Sequence, residues 1–90
     1  MIVHELKTDP VYFSAIGEGR KKFDIRINDR NYQVGDEIWF QETYYSCEEM
    51  KQGLPLRYTG RIIAAEITYI MTGPIFGLAG GWAILSIELV

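Results

Sequence analysis

Apolar and polar residues alternate most strictly at Phe23-Asp24-Ile25-Arg26-Ile27-Asn28, where a period of two puts Phe23, Ile25 and Ile27 on one face and Asp24, Arg26 and Asn28 on the other. That pattern predicts a half-buried strand with the apolar trio turned to the core. The same period runs through residues 82 to 90, with Ala83, Leu85, Ile87 and Leu89 on one side. Residues 2 to 6 predict a short first strand, and residues 37 to 45, rich in Ile, Trp, Phe, Thr and Tyr, predict another. Tyr58-Thr59-Gly60 restarts the sheet, and residues 61 to 70 continue it as a long strand. Only one segment reads as helical. Asp9 precedes Pro10, which suits the first helical position because its missing N–H has no partner to lose there. Tyr12, Phe13 and Ile16 then form one apolar face, and Gly17 and Gly19 are expected to end the helix.

Turn chemistry occupies the intervals. Asn28-Asp29-Arg30-Asn31 and Val34-Gly35-Asp36 read as tight turns, and residues 71 to 81 as a glycine-rich excursion. Residues 46 to 57, with Gly53 and Pro55, form the longest polar connection and are expected to be the most mobile loop. About five strands with one short helix describe a mainly β domain, a small curled sheet or barrel with the helix plugging one end. An open α+β sheet is the alternative, and a two-layer fold of parallel strands is disfavoured because only one crossover-length helix is available. Most of the aromatic residues are expected in the core. Phe76 and Trp82, flanked by Gly73, Gly77, Gly80 and Gly81, are instead expected at a pocket rim, where glycine lets a ligand approach the backbone.

Composition narrows this picture in three ways. Ninety residues, 48% of them hydrophobic, support one core, so residues 1 to 90 read as a single domain. A net charge of −3 argues against strong global attraction to nucleic acid and leaves room for a local basic patch. Cys47 is the only cysteine, which excludes an intramolecular disulfide and a four-thiolate zinc site, and no metal-binding histidine pair, phosphate loop or nucleophile elbow occurs. No cofactor is expected. The apolar runs are interrupted by Thr68, Thr72, Gly73 and Pro74, so a soluble cytoplasmic protein without membrane association is expected.

Candidate chemistry concentrates at "GEGRKKFDIR", residues 17 to 26, where Arg20, Lys21, Lys22 and Arg26 surround Asp24. Such a group can hold a phosphate or carboxylate, the arginine fork orienting the oxygens and lysine acting as a point charge. The alternative is ordinary ion pairing on a solvated strand face. His4 and Lys7 lie in or just after the first strand, His4 with a side chain suited to hydrogen bonding or proton transfer. Cys47, beside Glu48 and Glu49, lacks an obvious base.

Gly19-x-Lys21-x-x-Asp24-x-Arg26 resembles the GxKxx[E/D/T]xR signature of ASCH domains, small β-barrels of the PUA-like superfamily. The likeness extends through His4-Glu5-Leu6-Lys7, the run FDIRINDRNYQVGDEI at 23 to 38, YTGR at 58 to 61, ITYI at 67 to 70 and the closing ILSIEL. Together these are similar to a small ASCH-like family often encoded by phages and mobile elements. The resemblance implies a pseudo-barrel with a cleft lined by Lys21 and Arg26, and an association with RNA or modified nucleobases. It also implies a comparison with a branch that hydrolyses acetylated cytidine through a threonine at the position of Asp24 and a later glutamate. Here Asp24 replaces the threonine, and MTGPIFGLAGG, residues 71 to 81, supplies no carboxylate. The expectation is therefore binding of RNA, single-stranded nucleic acid or a nucleotide, with Lys21, Arg26 and Lys7 on phosphate, Asp24 and His4 on a base edge, and Trp82 at the rim. A protein-interaction module is the alternative reading. A nucleoside amide hydrolase with Lys21 as base and Asp24 orienting it is the third.

Overall fold

The computed structural model describes all 90 residues. Five strands, β1 (Val3–Thr8), β2 (Phe23–Ile27), β3 (Glu37–Thr43), β4 (Tyr58–Thr72) and β5 (Trp82–Leu89), are joined by two short helices, α1 (Pro10–Gly17) and α2 (Cys47–Lys51). The strands form one sheet in the order β1-β3-β4-β5-β2. It curls into a half-barrel, and its edges β1 and β2 meet through side chains: Arg26 and Arg30, in and after β2, donate to backbone carbonyls of β1. This is the expected mainly β architecture. One pair departs from the antiparallel rule, since β1 runs parallel to β3, from Val3 opposite Glu37 to Thr8 opposite Glu42. The intervening α1 and β2 provide the long crossover that a parallel pair requires.

The concave face carries Leu6, Ile38, Phe40, Ala65, Ile67, Ala83, Leu85 and Ile87, closed over by Phe13 and Ile16 of α1. Burying each such large side chain stabilises the fold by about 1.5–3 kcal/mol. The core is chiefly aliphatic, which corrects the expectation for the aromatics. Trp39, Tyr44, Tyr58 and Tyr69 all retain 37% or more of their surface in solvent, whereas Phe13, Tyr32 and Phe40 are buried. Branched aliphatic residues and alanine fill most of the interior around Phe13, Tyr32 and Phe40.

Asp9 and Gly19 bound α1 in different ways. The Asp9 carbonyl accepts the Phe13 N–H at 2.9 Å, but its carboxylate turns away from its own helix and accepts the Cys47 N–H at 3.0 Å. It thereby ties the start of α1 to the start of α2. At the other end Gly19 takes φ +79°, its N–H bonding to the Ile16 carbonyl and that of Arg20 to the Ala15 carbonyl, both at 3.0 Å. This Schellman closure needs a left-handed residue, and glycine supplies it without a steric cost. The chain then turns directly into Lys21.

Residues 46 to 57 are not loop throughout, because Ser46 and Glu49 form a complete capping box at the head of α2. The Ser-x-x-Glu spacing is a sequence signature of that motif. Beyond Thr72 the ribbon of β4 and β5 continues to a hairpin with a bridge between Ile75 and Leu78. Gly73 is obligatory there, since a Cβ would lie 2.0 Å from the Ala79 carbonyl oxygen. At the tip Phe76 and Gly77 both take positive φ, +47° and +85°, as a two-residue hairpin turn demands.

The largest correction concerns β2. Its phase is inverted: Asp24 is buried and Arg26 half-buried, whereas Phe23, Ile25 and Ile27 are 43%, 47% and 55% exposed. Period two defines two faces without saying which is inside. Here β2 is the edge strand beside the opening of the half-barrel, and its inward positions meet the β1 backbone and Lys21, partners for polar groups.

Candidate functional site

Asp24 sits on the inner side of β2 with its carboxylate divided between two cations. Its Oδ1 accepts from Lys21 Nζ at 3.2 Å, and its Oδ2 accepts from Arg26 Nε. Lys21 also donates to the Phe23 carbonyl at 2.7 Å, and its ammonium lies 4.8 Å from the Phe23 ring centre and 5.6 Å from that of Tyr12. Arg26 Nη2 spans the opening to the Lys7 carbonyl at 2.8 Å. The side chains of Asp24, Lys21 and Arg26 are only 9%, 15% and 23% exposed, so solvent screens these pairs less than it would on an open face.

A cleft of about 280 Å³ lies over this group, walled by Lys7, Thr8 and Asp9 at the end of β1, by Tyr12, and by Cys47 and Met50 of α2. A second groove, about 450 Å³, shares Lys7, Ile25 and Arg26 with it and runs along the seam past Arg30 and Tyr32 to Trp82. Arg30 Nη1 donates to the Glu5 carbonyl at 3.3 Å, and neither Arg30 nor Lys7 forms a salt bridge with a carboxylate. With Lys21 added, the seam presents four cations against the carboxylates of Asp9, Asp24 and Asp29, a positive balance on a chain whose net charge is −3.

Of the residues singled out from sequence, the fold brings Lys7, Lys21, Asp24, Arg26 and Trp82 to this one seam. His4 is placed elsewhere. It is buried, its Nε2 is 2.9 Å from Asp36 Oδ2, and its ring packs edge-on against Tyr32 at 4.7 Å. Asp36 also accepts the N–H groups of Ile2 and Gln33. The hydrogen bond from His4 holds the Asp36 carboxyl below the ordinary aspartate range, against the opposing effect of burial. His4 therefore braces the beginning of β1 against the turn before β3, a structural position in place of the base-edge contact expected for it. Tyr32, next to it, has its phenol pushed upward by burial. Phe76 is 93% exposed at the hairpin tip and lines none of these clefts.

Three contributors, Tyr12, Arg30 and Met50, are not site candidates in the sequence, and Cys47 stands there only as a thiol without an obvious base. Tyr12 reads as part of the apolar helix face, yet the helix rotates it to the cleft, 52% exposed. Arg30 lies in a turn, and its reach to β1 depends on the curl of the sheet. Cys47 and Met50 reach the cleft because α2 is held by Asp9, a contact across 38 positions. The capping-box spacing reveals that helix, but nothing local reveals where it docks.

The chain matches, over residues 3–87, the family described as "Domain of unknown function (DUF3850)". It is also similar to an "Uncharacterized 12.9 kDa protein in GpA 3'region" of Escherichia phage P2, with 36% identity over 66 residues. That alignment covers 73% of this chain and 51% of the phage protein, so the chain spans about half the length of that curated relative. The family match runs from the first residue of β1 through the Lys21-Asp24-Arg26 group to the inner residue Ile87 of β5, and the phage relative fits the mobile-element association read from the sequence. A match of that extent takes in four strands, most of the fifth and the whole candidate site, and the chain belongs to the DUF3850 family.

Proposed function

We propose that the β1–β2 seam binds RNA, or a single nucleotide of it, as a recognition module. The observation that carries this reading is the combination of a held Asp24-centred group on the cleft floor with Lys7 and Arg30, free of carboxylate partners, on its walls. Arg26 and Lys21 each have donors committed to Asp24 and to carbonyls, which fixes their direction and leaves further N–H groups for a ligand. Asp24 adds an acceptor for the exocyclic or ring N–H of a base, and Tyr12 and Trp82 offer ring faces for stacking. Lys7 and Arg30 are placed to meet phosphate. The likeness of Gly19, Lys21, Asp24 and Arg26 to the ASCH signature, and of a curled sheet with one capping helix to PUA-like barrels, supports the same reading. The seam is short and its charge excess small, which suits one or two unpaired nucleotides better than a duplex.

The contacts of Lys21, to Asp24, to the Phe23 carbonyl and to two aromatic faces, hold its side chain in one direction on the cleft wall, which supports a binding role.

Fluorescently marked single-stranded RNA titrated at two salt concentrations tests the proposal. Lys21→Ala and Arg26→Ala are expected to weaken binding at least tenfold. Lys7→Ala is expected to weaken it less and to lower the slope of log affinity against log salt by about 0.7, the value for one phosphate contact on a single strand. Unchanged affinity in both Lys21→Ala and Arg26→Ala, with the fold intact, removes the site.

A further inference from the structure

Asp9 occupies the N-cap of α1, where an aspartate ordinarily accepts the N–H of the second or third helical residue. Its side chain makes no such bond. Instead Oδ1 accepts the Cys47 N–H at 3.0 Å, and that docking of α2 uses only one of the two carboxylate oxygens. Oδ2 has no hydrogen-bond partner, and Asp9 forms no salt bridge although Lys7 and Arg26 wall the same cleft of about 280 Å³. The other carboxylate of the cleft, Asp24, has one oxygen on Lys21 and the second on Arg26. Asp9 Oδ2 is therefore the one uncommitted carboxylate oxygen there. The remaining walls suit a nucleobase, since Tyr12, Ile25 and Met50 are apolar and Arg26 keeps N–H groups beyond those given to Asp24 and the Lys7 carbonyl.

We infer that Asp9 makes this cleft selective for guanine, an inference that rests on the reading of the seam as an RNA-binding site. An ionised carboxylate accepts hydrogen bonds and donates none. Two parallel bonds to it require two adjacent donors on the edge of the base. Guanine has that pair in its N1–H and its N2 amino group. Adenine and cytosine set a ring acceptor beside their amino group, and uracil holds one N–H between two carbonyls, so each brings a lone pair against the carboxylate. Arg26 supplies the complement on the other edge, because guanine O6 and N7 are the acceptors an arginine fork meets most often. A base without the donor pair leaves Asp9 facing a lone pair in a partly apolar cleft. That is the condition under which a hydrogen-bonding site discriminates strongly, because a mismatch strands a desolvated polar group.

Fluorescently marked RNA pentamers, four uridines around a central guanosine, adenosine, cytidine or uridine, test this on the full chain. The guanosine pentamer is expected to bind at least tenfold more tightly than the other three. Central inosine, which keeps N1–H and O6 but lacks the N2 amino group, is expected to lose most of that advantage with the protein unaltered. Asp9→Asn keeps an oxygen for the Cys47 N–H and so the docking of α2, but it exchanges the second acceptor for a donor. In that variant, with native circular dichroism, the ratio of guanosine to uridine affinity is expected to fall to within about twofold. Equal affinity for the four wild-type complexes overturns the inference and leaves RNA binding by the seam standing. The same holds for an inosine pentamer bound as tightly as the guanosine one, and for a guanosine preference that survives in Asp9→Asn. Failure of the wild type to bind any pentamer overturns the reading of the seam, and guanine selectivity with it.

Discussion

At the scale of single residues, the fold is organised around two aspartates that do opposite things with the same chemistry. Asp24 divides its carboxylate between two cations beside an open cleft, where their remaining donors face solvent. Asp36 is buried and receives His4 and two backbone N–H groups. Because its folded-state pKa lies below the unfolded value, the stabilisation from Asp36 is fully present above about pH 4 and is lost as pH falls through the lower folded value. Urea midpoints measured at pH 5, 4 and 3 check this. The gap between wild type and Asp36→Asn is expected to hold at pH 5 and to close toward pH 3, and a gap that is the same at pH 5 and pH 3 would contradict the assignment. The chemical potential of both aspartates is legible in sequence as residue type, but their partners are not. His4 and Asp36 are 32 positions apart, and only the parallel pairing of β1 with β3 joins them.

At the scale of elements, local signals mark ends better than placements. Pro10 and Gly19 bracket α1, and Ser46 with Glu49 heads α2, each through backbone chemistry within a few positions. The hairpin tip is the exception, because Phe76 occupies a left-handed position that asparagine or glycine favours, while its side chain is 93% exposed and gains little burial. Phe76→Asn creates the Asn-Gly pair best suited to such a turn. It is expected to raise stability by about 1 kcal/mol, a rise of roughly 4–8 °C in the unfolding midpoint of a domain this size. Thermal denaturation at low protein concentration reads it directly, and a lowered midpoint would mean that the ring makes stabilising contacts.

At the scale of the whole molecule, closure of the half-barrel rests on a few side chains bridging β2 and β1. Arg26 does this through Nη2, which donates to the Lys7 carbonyl, while its Nε donates to Asp24 within β2 and fixes the direction of the fork. A lysine keeps the charge but not the fork. Arg26→Lys is therefore expected to cost about 1–2 kcal/mol and to speed amide exchange at the end of β1, whereas a purely electrostatic role predicts little change in either. Urea denaturation and hydrogen exchange together distinguish the two.

What the amino-acid order determined by itself was local and periodic: the strand segments, the bounds of α1, the inward set Ala83, Leu85 and Ile87 on β5, and the clustering of Lys21, Asp24 and Arg26 within six positions. These follow from backbone sterics, capping and side-chain period, which act over a few residues. The tertiary structure alone decided which face of β2 is inside, that β1 lies parallel to β3, that α2 walls the cleft, and that Trp39, Tyr44, Tyr58 and Tyr69 stay exposed. Each of these depends on the curl of one sheet bringing its first and last strands together. Alternation is symmetric under exchange of faces, so only the partners waiting across the opening, the β1 carbonyls and Lys21, make the charged side of β2 the buried one.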